Sequence, residues 1–163
     1  MIESEHIVME LTAEERLQLD ELLYHYRQHA KIQEMKRYIQ HGSITTYDHV
    51  ERVTKLCFLV NRRFHLGANE RALVIGAFMH DFYLYDWHEN DPSHRLHGYH
   101  HADTSCTNAI NYFQIGELVQ QMIRTHMWPL TITKLPRSRE AWILCLVDKY
   151  ISTEETFAMR KRG

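Results

Sequence analysis

The chain has 163 residues, 44% hydrophobic and 25% charged, enough for one globular domain with a real core. A formal net charge of -2 gives no bulk electrostatic reason to expect a nucleic acid or an anionic membrane as partner. Cys57, Cys106 and Cys145 are widely spaced and form no C-x-x-C pair, the start MIESEHIVMELTAEERLQ lacks the basic and apolar regions of a signal peptide, and no apolar run is long enough to span a bilayer, so a cytoplasmic protein with reduced thiols is expected.

Thr12 to Glu15 has the form of a capping box, and an apolar pattern follows through Leu19, Leu22, Leu23, Tyr26, Ala30, Met35, Tyr38 and Ile39 to a stop at Gly42. This predicts an N-terminal helix over 12–41, in one piece or broken around 29–31, packed on a core of about 35–157. Its exposed apolar residues permit a homodimer without requiring one. A second helix is predicted after residues 43–46, with Val50, Val53, Leu56, Cys57, Val60 and Phe64 on one face and His49 in its first turn. Asn69 can cap a third, whose run Ala72, Leu73, Val74, Ile75, Ala77, Phe78, Met79 is apolar on all faces and leads into His80-Asp81.

Residues 83–101 read as a long loop rich in polar aromatics (Tyr85, Asp86, Trp87, His88, Asp91, His94, His97, Tyr99, His100, His101), with Pro92 and Gly98 as helix breakers. A loop of that length in a compact domain is usually functional. A short helix capped by Asp103 or Thr104 is expected next, then one from Gly116 to His126 limited by Pro129. The last helix opens at Ser138 and carries Asp148 within an apolar stretch; the tail from Met159 is a solvated basic end. With three prolines, six glycines and no sustained strand pattern, the chain reads as an all-α bundle.

Chemistry concentrates in the 13 histidines. An imidazole and a carboxylate in a buried apolar helix cost several kcal/mol unless paired. A metal ion pairs them well, although a lone His-Asp dipeptide is more often a core histidine bonded to its neighbour. The wider order removes that ambiguity: His49, then His80-Asp81, His101, His126 and Asp148. Together with Ile39-Gln40-His41-Gly42, Tyr47-Asp48-His49, the string from His80 to His88, Leu96-His97-Gly98-Tyr99-His100-His101, Thr125-His126-Met127-Trp128-Pro129-Leu130 and Val147-Asp148-Lys149, it resembles the HD-domain superfamily of metal-dependent phosphohydrolases, in particular a bacterial subgroup. The likeness runs from about residue 35 to 157.

The resemblance implies a single HD domain over 1–163 with an HD-domain/PDEase-like helical bundle. It implies a first divalent ion held by His49, His80, Asp81 and Asp148, and a second, bridged by Asp81, on His101 and His126. Iron, manganese, zinc, cobalt or nickel suits such ligands. The implied activity is hydrolysis of a nucleotide or other small phosphate ester by attack of a metal-activated hydroxide. Asp81, Asp86 and Lys149 are the candidate catalytic groups: Asp86 as general acid, orienting group or mere helix cap, Lys149 as phosphate contact or surface ion pair. Trp87, His88, His97, His100 and Trp128, with His94 and Arg95, are candidates for substrate recognition. His100 competes with His101 as ligand, and His41 is either a supporting group or a polar helix end. The family branch that hydrolyses cyclic dinucleotides has Gly and Lys soon after its His-Asp pair; Phe82-Tyr83-Leu84 stand here instead. Two alternatives remain: a mixed-valent di-iron oxygenase on the same scaffold, and a non-catalytic metal-containing binding domain.

Overall fold

The computed structural model describes residues 9–89 and 96–161. Seven α-helices and one two-stranded hairpin are present among them: α1 (Ala13–Arg27), α2 (Ala30–Glu34), β1 (Ile39–His41), β2 (Ile44–Thr45), α3 (Thr46–Arg63), α4 (Glu70–Met79), α5 (His97–Phe113), α6 (Glu117–Thr125) and α7 (Arg139–Arg160). The all-α expectation holds. No helix among the described residues is long and apolar enough to cross a membrane.

The apolar run before His80-Asp81 becomes α4, the central rod, which packs against α1, α3, α5, α6 and α7. Its two sides face two apolar clusters. One contains Leu19, Leu23, Phe58, Phe78, Phe82 and Ile123; the other contains Val53, Leu73, Ala77, Met122 and Leu144. Gly76 is where α6 comes close: a Cβ there would fall within 2.9 Å of Met122 Sδ. That approach brings the end of α6, and His126 with it, alongside the end of α4.

Three boundaries differ from the sequence reading. The N-terminal helix does break near residue 29, where His29 Nδ1 caps α2 by accepting from Lys31 N at 3.2 Å. It does not continue to residue 41: Ile39–His41 pairs antiparallel with Ile44–Thr45 around Gly42, whose φ is +61°. His80-Asp81 is not embedded in its helix but stands at the end, with His80 as C-cap. α5 starts at His97, before the expected Asp103 or Thr104 cap, and includes Gly98 in its first turn. A Cβ on Gly98 would meet Leu130 Cδ2 at 3.0 Å, so this glycine serves close packing rather than helix breaking. Asp91, Pro92, His94 and Arg95 lie outside the described residues.

Thr12 and Glu15 form the reciprocal capping box, and Glu15 is also clamped by Arg63 of α3, whose Nη1 and Nη2 stand 2.5 and 2.8 Å from its carboxylate. The Arg63 hydrogen bonds outweigh burial and bring the Glu15 carboxyl from 4.5 down to about 2. A depressed carboxyl stabilises the fold above its unfolded value and loses that contribution as pH falls through the folded one. Glu15→Gln should therefore be less stable than the parent by a constant amount above about pH 5. The gap should shrink between pH 4.5 and 2, as read by urea unfolding across pH.

Candidate metal centre

Six side chains from five elements converge beside the end of α4. His49 comes from the first turn of α3, which Thr45 caps through Asp48 N and Asp48 closes as a capping box. His80 and Asp81 follow α4, His101 lies on α5, His126 is the C-cap of α6, and Asp148 lies two-fifths of the way along α7. All six are buried.

The carboxylate of Asp81 is shared between two groups of imidazoles. Its Oδ2 stands 3.6 Å from His49 Nε2 and 3.4 Å from His80 Nε2. Its Oδ1 stands 3.2 Å from His101 Nε2 and 3.6 Å from His126 Nε2. Asp148 Oδ1 completes the first group at 3.1 Å from His49 and 3.4 Å from His80. Donor atoms of His49, His80 and Asp81, of Asp81, His101 and His126, and of His80, His126 and Asp148 each fall within 4.8 Å of one another.

The tautomers favour a cation. His80 Nδ1 donates to Ala77 O at 2.7 Å, His101 Nδ1 to His97 O at 2.9 Å, and His126 Nδ1 to Ile123 O at 2.7 Å. His49 Nδ1 meets Glu155 Oε2 at 2.9 Å. With every Nδ1 hydrogen committed, each Nε2 is the nitrogen that faces the centre, free to offer a lone pair once any proton on it is displaced. His101 and His126 even face each other Nε2 to Nε2 at 3.0 Å, an arrangement that only an extra proton or a metal ion makes attractive. His80 Nε2 and Asp81 Oδ1 are buried and aligned for no hydrogen bond, although opposite groups stand within 3.4 Å. Two ligand atoms about 2.1 Å from one ion at tetrahedral or octahedral angles are about 3.0–3.4 Å apart, so the observed separations suit the group.

Electrostatics agree. Burial alone would raise the Asp81 carboxyl, but His80, His101 and His126 outweigh it and hold it well below the carboxylate range. His49 and His80 do the same for Asp148. Burial pulls the His49 imidazolium down, while Asp148 and Glu155 more than offset it and push the group up to about 10. Without a metal, protons on the imidazoles balance the carboxylates; metal binding would displace them.

Two supports were missed in the sequence. Glu155, one heptad beyond Asp148 on the same face of α7, orients His49 and is itself held by Arg52 Nη1 at 2.7 Å. Gln40 of β1 donates from Nε2 to Asp81 Oδ2 at 2.8 Å. Its carbonyl oxygen accepts from Tyr83 Oη, which in turn meets Thr46 Oγ1 at 3.2 Å. The spacing of seven was a signal for Glu155; Gln40 stands in the Ile39-Gln40-His41-Gly42 string, which gave it no role of its own.

A cavity of about 910 Å³ opens over the cluster, lined by Asp81, His101, His126, Asp148, Lys149, Gln40, His41, Trp87, His97 and Leu130 among others. Several expectations are redirected by it. His101, not His100, turns inward; His100 is exposed, one position round the helix. His97 stacks on His101 at 4.4 Å and meets Tyr85 Oη at 2.8 Å through Nδ1. Among the described residues Lys149 makes no ion pair: its Nζ donates to His126 O at 2.8 Å and to Cys145 Sγ at 3.4 Å. Asp86 and His88 border a smaller adjoining pocket, and Asp86 Oδ1 accepts from His88 N at 2.9 Å. Trp128 packs edge-on against Trp142 at 5.1 Å and does not line the cavity. His41, half-buried, does line it, and burial lowers its pKa.

A helical bundle with this ordered set of histidines and aspartates defines a metal-site protein. The HD domain family model matches residues 46–153, and the chain belongs to that family. Neither the curated proteins nor the solved structures contain a significant match to it.

The carboxylate behind His49 fixes its ring and raises its basicity as a ligand, a role whose loss typically costs about 10–100-fold in metal affinity. Glu155→Gln should weaken binding of the first ion by that factor in a chelator competition, with the helical circular dichroism spectrum unchanged. An unchanged affinity would show that Arg52–Glu155 acts only as an interhelical ion pair.

Proposed function

We propose that the protein is a dinuclear metal-dependent phosphohydrolase acting on a small phosphate ester or nucleotide. The observation that carries this reading is the Asp81 carboxylate, each of whose oxygens faces a separate pair of imidazoles. Divalent ions held by His49, His80, Asp81 and Asp148 and by Asp81, His101 and His126 would supply Lewis acidity and an activated water for attack on phosphorus.

The chain's own residues account for the rest. His49, His80, His101 and His126 are locked in one tautomer by their Nδ1 acceptors, so their Nε2 atoms need no reorientation to bind. Gln40 holds the Asp81 carboxylate through Oδ2, the oxygen that also faces His49 and His80. The Lys149 ammonium, with two of its three hydrogens committed to His126 O and Cys145 Sγ, has a third for a phosphoryl oxygen in the cavity. Asp86 is not among the cavity-lining residues.

Protein loaded with manganese or another divalent ion should release phosphate from a panel of monoesters and nucleotides. Asp81→Asn, which keeps the shape and removes the charge, should fall to background. Lys149→Met should raise KM about tenfold, the loss expected of one charge-assisted hydrogen bond. No phosphate release from any ester, together with O2 uptake and a mixed-valent EPR signal from an iron-loaded form, would contradict the reading and favour the di-iron oxygenase.

A further inference from the structure

The cavity surface is mostly apolar: Trp87, Leu96, Met127, Pro129 and Leu130 line it together with the ligands and a few other polar groups, His41 and Ser152 among them. Leu96 and Leu130 line the cavity while 66% and 44% exposed, which places apolar side chains at its mouth. Exposed leucines are ordinary singly; gathered around a polar pocket they mark a recognition surface. The rim is also built tightly: Gly98 in the first turn of α5 lets Leu130 approach to where a Cβ would meet it at 3.0 Å.

In the same lining the Trp87 indole lies between His88 and His97, with ring centroids 3.9 and 5.2 Å away, and the plane of His97 continues onto His101. This column of rings runs from the surface to a metal ligand. The Trp87 Nε1 atom is buried with no hydrogen-bond partner among the described residues. Such a donor is rarely left idle in a folded protein, and an oxygen of a bound ligand would satisfy it. Among the described lining residues, Lys149 is the only lysine or arginine, a cation for one phosphoryl group.

We infer that the site selects a phosphomonoester whose alcohol or phenol portion is apolar and uncharged, over nucleotides and sugar phosphates. The phosphoryl group would lie at the Asp81 cluster beside Lys149, the apolar portion against Leu96, Met127 and Leu130. A ribose or hexose placed against Leu96, Met127 and Leu130 would lose water from its hydroxyls to side chains that offer no acceptor, which costs affinity. The inference rests on the hydrolase reading for the position of the phosphoryl group.

Binding separates the two. Metal-loaded protein titrated calorimetrically with naphthylmethylphosphonate and with methylphosphonate, neither hydrolysable, should bind the aryl compound at least about tenfold more tightly, the low end of what a well-filled apolar pocket gives. Leu130→Ser, a change at an exposed position, should reduce that ratio severalfold, and Trp87→Phe should weaken both ligands by removing the N–H donor. Equal affinity for the two phosphonates, or tighter binding of AMP than of the aryl compound, would overturn the inference. In turnover, naphthyl phosphate should exceed AMP and hexose phosphate in kcat/KM by about tenfold or more. Faster turnover of AMP would overturn the inference and leave the hydrolase intact. Absence of turnover on every ester, with the aryl preference in binding retained, would sink the hydrolase reading alone.

Discussion

The rest of the centre depends on the two oxygens of Asp81. A buried carboxylate with imidazoles on both sides is costly to desolvate and stable only if positive charge is supplied between them. The fold achieves this by ending helices at the site. His80 and His126 are the C-caps of α4 and α6, and each turns its Nδ1 back to the carbonyl three residues earlier. Those carbonyls are among the acceptors a helix end leaves without intrahelical partners. One local device thus satisfies the helix terminus, fixes the tautomer and aims Nε2 at the centre. Both helix C-termini also present negative dipole ends, which favour a cation nearby.

Packing determines whether these ends meet. α4 is buried from Leu73 to Met79, and Gly76 lets α6 approach it closely, so the two C-caps become neighbours with ring centroids 4.9 Å apart. α3 and α7 supply the other wall. His49 reaches in from a capped first turn, while Asp148 and Glu155, seven residues apart, hold its two ring nitrogens at 3.1 and 2.9 Å. The hairpin of β1 and β2 brings in Gln40. Ligands and their supports come from separate parts of the chain, so the centre and the tertiary fold form together.

Much of this was legible in the sequence because the ligands are chemically anomalous where they stand. His49, His80, Asp81, His101, His126 and Asp148 are polar residues at positions whose neighbours demand burial, and the structure brings all six together. The supports were less legible. Gln40 and Glu155 are ordinary polar residues whose importance lies in a contact 41 and 106 positions away along the chain. The choice between His100 and His101 turned on the start of α5, which Gly98 obscured: a glycine read as a breaker is a close-packing site within the helix. Trp128 and Asp86 were grouped with the site by proximity in sequence, but their side chains are engaged by Trp142 and by His88.

The central claim is that Asp81 is shared between two metal seats, and metal stoichiometry tests it most directly. Elemental analysis of protein loaded with divalent metal and freed of excess should give two ions per chain, and one in His126→Ala with His101→Ala, since the first seat on His49, His80, Asp81 and Asp148 is untouched. One ion per chain in the parent protein, unchanged by the double substitution, would contradict it and reduce His101 and His126 to supports of a mononuclear site.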